Sequence, residues 1–136
     1  MKNLLLLLAG LTLVWGTKDL ATCRCGMFIQ MDDDVHMVYH LDPINIETCE
    51  PYELCKIKCA EEFNTLTDGG NLNNELNSGY TVAQEICLTM MQHHGVHDVQ
   101  NAVVYGYANM CNGPWMWDGV SSINKLCCDR GHNTPC

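Results

Sequence analysis

The sequence predicts a mainly α, disulfide-rich small domain: three to four helices cross-linked by five disulfides, with a small N-terminal β-hairpin. Three observations lead there. Apolar residues recur at steps of three and four over residues 52–66, 81–94 and 99–110. Ten cysteines, an even number, are distributed along 136 residues. The chain also opens on a short apolar run that directs it to an oxidising compartment, where such cysteines pair.

Residues 1–16 read as a secretory signal peptide. Lys2 supplies the positive start, Leu4 to Val14 the apolar stretch, and Val14 and Gly16 the small-residue cleavage pattern. The run is shorter than the roughly 20 residues needed to span a bilayer, so no transmembrane anchor is expected. Residues 17–136 then form a single secreted domain. Removing Lys2 takes the net charge from −9 to −10. An acidic surface disfavours nucleic acid and anionic membranes as partners, since both need basic residues. No two basic residues are adjacent, which argues against a processed peptide hormone.

The expected disulfide set is Cys23, Cys25, Cys49, Cys55, Cys59, Cys87, Cys111, Cys127, Cys128 and Cys136. Spacing leaves the pairing open, apart from disfavouring Cys23–Cys25 and Cys127–Cys128.

Residues 26–41 alternate apolar and polar around Asp32-Asp33-Asp34, which predicts the hairpin. Residues 48–66 form the central helix, with Thr48 as N-cap and Pro51 in the first turn. Tyr52, Cys55, Cys59, Phe63 and Leu66 share its inward face. Its cysteines are expected to staple it to segments carrying Cys87, Cys111, Cys127 or Cys128. Residues 64–79, rich in Asn and Gly, read as a long surface loop, mobile or functional. Thr81 and Gln84 predict a capping box opening the second helix, which Gly95 stops. Asp98 caps a third helix over 99–110, with Gly106 as its weak point. Ser121 or Ser122 caps a short last helix through Cys128.

Candidate chemistry is sparse. His36 and His40, and His93, His94 and His97, have spacings that can bind zinc or copper. Gly95 separates the last of these, however, and no complete ligand motif is present, so no metal and no cofactor are expected. His97-Asp98 invites comparison with secreted phospholipases A2, but Met90, Met91 and Gln92 stand where that family has paired cysteines. Asn64, Asp68, Gly69 and Glu75 fit a helix–loop–helix calcium loop only in part, because Leu66 occupies a ligand position. No nucleophile motif occurs, and an even cysteine count leaves no free thiol to expect, so no catalytic residue is assigned.

Trp115 and Trp117, with Tyr105 and Tyr107, are the candidate binding residues. Tryptophan and tyrosine in accessible segments are interface material. In general build the chain is similar to the longer helical, multi-disulfide polypeptides of venoms. That similarity rests on secretion, cysteine density and helices, not on a shared motif. The leading expectation is therefore a secreted, non-enzymatic protein that binds an extracellular protein or receptor. An acidic matrix or biomineral-associated calcium binder is the alternative, resting on Asp32–Asp34 and net charge. A small secreted hydrolase ranks third.

Overall fold

The computed structural model describes residues 21–136, so the signal peptide assigned to 1–16 lies outside the described residues. Among the described residues the fold is mostly β: 39% strand against 25% helix, with two helices and two antiparallel sheets. The expectation of a mainly α domain is therefore wrong, and the error arises in the C-terminal half.

The N-terminal hairpin is present and larger than expected. Strand β1 (Thr22–Met31) pairs antiparallel with β2 (Asp34–His40). Asp32, at φ 53°, makes the turn between them, a left-handed position that Asp tolerates better than most residues. A two-residue strand, β3 (Ile44–Asn45), also pairs with β1.

Helix α1 (Tyr52–Thr67) follows. Its buried residues are Cys55, Cys59, Phe63 and Thr67, spaced in steps of four as one helix face requires. Thr48 does not cap it. The capping position is Pro51, which offers no side-chain bond, while Thr48 turns back to the Glu50 carbonyl. The helix runs past Asn64 and ends at Asp68, in the left-handed conformation.

The segment after α1 is ordered by named bonds. Leu72 is fully buried. Its N–H donates to Asn124 Oδ1 at 2.9 Å and its carbonyl accepts from Ala83 N–H at 2.8 Å. Helix α2 (Val82–His94) then matches expectation. Thr81 accepts from Gln84 N–H at 3.1 Å, and Gly95 at φ 65° ends the helix. The capping box is only half made, because the Gln84 side chain donates to the Gly131 carbonyl and accepts from Asn133 N–H.

The predicted third helix is two strands, β4 (Asp98–Ala102) and β5 (Val104–Met110). Asn101 at φ 51° breaks the segment. In β5, Val104, Gly106 and Ala108 are buried while Tyr105 and Tyr107 are half-buried, which is a period of two. Asp98 accordingly opens a strand and pairs with Asp129 instead of capping a helix. The predicted last helix is also absent. Strand β6 (Met116–Ser121) precedes β7 (Leu126–Asp129) and β8 (His132–Asn133). Leu126, Cys127 and Cys128 are all buried, so no alternation marks β7 as a strand.

One sheet has the order β2-β1-β5-β6, with β3 beside β1, and the other has β4-β7-β8. Helix α1 packs on β1, β5 and β6, and α2 on β2, β7 and β8. The main core gathers Met27, Ile29, Val38, Phe63, Leu72, Ile86, Met90, Val99, Val104 and Leu126.

All ten cysteines are paired, as Cys23–Cys55, Cys25–Cys59, Cys49–Cys111, Cys87–Cys128 and Cys127–Cys136. The cysteines of α1 therefore join β1, and not the four C-terminal cysteines expected. The geometry is commensurate. Two residues along a strand advance about 6.7 Å, and four along a helix about 6 Å, so C-x-C on β1 faces C-x3-C on α1.

Candidate functional site

The double staple fixes which side of the large sheet is covered. Cys23, Cys25, Met27 and Ile29 point toward the helices and core. Gly26 and Phe28 must then point the other way. Antiparallel partners share a side, and β1 pairs Gly26 with Tyr107 and Phe28 with Tyr105. Across the next ladder Tyr107 pairs with Trp117. One face of the sheet thus collects Phe28, Tyr105, Tyr107 and Trp117.

Trp115 joins them from just before β6. Its ring lies 5.1 Å from that of Phe28, which is itself 4.8 Å from Tyr107, both tilted. Gly26 provides the floor. A Cβ there would stand 3.1 Å from the Phe28 ring and 3.5 Å from two atoms of the Trp115 indole. Tyr105 and Trp117 meet edge to face at 6.5 Å. Trp117 is 51% exposed, and the adjoining Met116 44%. The indole N–H of Trp117 donates to the Val120 carbonyl at 3.0 Å, which holds the ring in place. Tyr52 of α1 donates from its hydroxyl to the Ala108 carbonyl at 2.6 Å, tying the helix start to β5 beneath this face.

All four candidate binding residues are therefore brought together, on a sheet face instead of the loop and helix first assigned. Phe28, at the centre of the cluster, was missed. Its signal was present in the alternation of residues 26–30, where Phe28 is out of phase with Met27 and Ile29.

Beside Tyr105 the face runs into a cavity of about 510 Å³, lined by Gln30, Asp32, Asp98, Gln100 and Asn101 among others. Polar groups thus rim an aromatic surface.

On the helix side of the same sheet sits Asp118. Its Oδ1 accepts the Val120 N–H at 3.0 Å, while Oδ2 is buried without a hydrogen-bond partner. Burial pushes this carboxyl up to about 6, against the lowering effects of the Val120 N–H and Lys56. The carboxylate fills the space above Gly106, where a Cβ would lie 2.6 and 2.8 Å from its oxygens.

Other sequence candidates are dispersed. Asn64 lies inside α1 and its carbonyl accepts the Gly69 N–H, so residues 64–75 do not form a calcium loop. Asp32, Asp33 and Asp34 are exposed at the hairpin turn. Among the described residues, the one group of three potential metal-ligating atoms within 4.8 Å is Cys23, Cys25 and Cys59. Their sulfurs are disulfide-bonded and do not act as thiolate ligands. Among the described residues, no helix is long and apolar enough to cross a membrane. Comparison with protein-family models, with curated proteins and with solved structures gave no match.

Proposed function

We propose that this is a secreted protein that acts by binding an extracellular protein or receptor, with the aromatic sheet face as its contact surface. The observation that carries the reading is the gathering of Phe28, Tyr105, Tyr107, Trp115 and Trp117 on one side of a disulfide-clamped sheet, with Trp117 half exposed. Aromatic side chains on a rigid support are the residues that most often dominate protein interfaces. A clamped face also loses little conformational freedom on binding. Five disulfides fit an extracellular protein. The matrix or biomineral reading has weaker support, because Asp32, Asp33 and Asp34 stand exposed at a turn and, among the described residues, join no group of three potential metal-ligating atoms within 4.8 Å.

The test uses the folded, labelled protein on intact cells. Saturable surface binding should be abolished by prior protease treatment of the cells, and reduced at least tenfold by Trp117→Ala. Ile123→Ala, exposed elsewhere, should leave it unchanged. Binding that survives Trp115→Ala/Trp117→Ala would remove this face from the function.

A further inference from the structure

Four histidines that are scattered in sequence meet at the seam between β2 and the end of α2. His36 and His40 lie on β2; His93 and His94 are the last residues of α2. The His36 and His94 rings lie 4.9 Å apart at 67°. Both are half-buried, while His40 and His93 are exposed. His94 and the exposed pair line a cavity of about 490 Å³, together with Tyr39, Glu85 and Thr89.

The tautomer of His94 follows from chemistry. Its Nε2 is 2.8 Å from the Met37 carbonyl oxygen. A carbonyl only accepts, so Nε2 carries the hydrogen. In the neutral ring Nδ1 then bears the free lone pair. An N–H held by a backbone carbonyl, with the opposite nitrogen free, is the arrangement found around metal-binding histidines.

Three further features favour a cation here. His94 closes α2, and the unpaired carbonyls of a helix C-terminus attract positive charge. The chain carries a net charge of −9, which draws cations to its surface. Glu85, further back along α2, adds a carboxylate to the cavity that His94 also lines, where it accepts the Ser78 hydroxyl at 2.9 Å. The two imidazoles are also set by regular elements: β1–β2 pairing fixes His36 opposite Ile29, and α2 packs on β2.

We propose that His36 and His94 form a binding site for a divalent transition-metal cation of the zinc or copper class, with water completing its coordination. Imidazole suits both metals, and harder cations such as calcium and magnesium prefer oxygen ligands. The site is separate from the aromatic face and stands independently of the binding function proposed for it.

The test is calorimetric titration of the disulfide-intact protein with zinc chloride, and separately with copper(II) chloride, at about pH 7.5. One cation should bind per chain with micromolar affinity. His36→Gln and His94→Gln should each weaken it by about tenfold or more. Glutamine at 94 keeps an N–H for the Met37 carbonyl, and near-ultraviolet circular dichroism checks that the fold is kept. His132→Gln, on β8, should change nothing. Copper(II) electron paramagnetic resonance should show two imidazole nitrogens. Absence of binding at neutral pH, or affinity that survives the double variant, overturns the site and makes the ring pair a packing contact only.

Discussion

Cys23 Sγ lies 3.6 Å from Cys59 Sγ, although the two belong to different disulfides. The staples between β1 and α1 are close enough for their sulfurs to touch. Cys55→Ala should therefore not leave Cys23 as a free thiol. Its thiolate is placed to attack Cys59 Sγ, form Cys23–Cys59 and release Cys25, which takes up a proton. Peptide mapping of the variant should find that new pair. The loss of one staple should lower stability by about 3 kcal/mol in urea unfolding. Recovery of Cys25–Cys59 with Cys23 alkylated would contradict this.

Gly106→Ala should destabilise the protein by about 1–3 kcal/mol, read as a lower urea midpoint. The added methyl would meet both Asp118 oxygens and Val120 Cγ2, all under 3.0 Å. The φ at Gly106 is not positive, so the penalty is steric. Gly106→Ala combined with Asp118→Gly should recover much of the loss.

Asp118 should make stability depend on pH. Its folded-state value of about 6 exceeds the ordinary 3.8, so the native state binds more protons than the unfolded chain between those limits. Stability should then fall as pH rises from about 4 to about 6 and level off above, by about 1 kcal/mol after solvent screening is allowed for. Asp118→Asn should flatten this part of the profile. Urea midpoints between pH 4 and 7, compared for the two proteins, give the answer.

Gly26→Ala should act on binding more than on folding. The new Cβ would stand in ordinary contact with the Trp115 ring and tight against Phe28. Phe28 should give way and displace the Trp115 ring packed against it, with a changed tryptophan emission maximum. Surface binding should weaken by about tenfold, while the urea midpoint moves by less than that of Gly106→Ala.

Helix α2 was legible because its start and stop are both local: Thr81 accepts one N–H, and Gly95 supplies the left-handed end. Residues 99–110 were not. Val99, Ala102, Val103, Gly106, Tyr107 and Met110 satisfy a helical period, yet all but Val103, which separates them, lie in two consecutive strands, an ambiguity that short apolar runs always carry. Gly106 and the run Val103-Val104-Tyr105 pointed to strand, but the decisive term is tertiary, because β5 is central between β1 and β6. The candidate binding residues were chosen by type. Their gathering depended on strand register, which the helical assignment hid. The disulfide map was undetermined for a similar reason: C-x-C and C-x3-C match in length only once one is known to be a strand and the other a helix.

A single bridge between a helix and a strand is a pivot; two bridges side by side remove the pivot. With Cys23–Cys55 and Cys25–Cys59 both closed, α1 can neither swivel nor slide over β1. The sheet is thus braced from behind, like a plate fixed at two points to a beam. A load applied to the aromatic side passes through β1 into α1 without bending the surface that receives it. Mechanical pulling on Trp117 should meet a stiff response that softens sharply once either brace is cut.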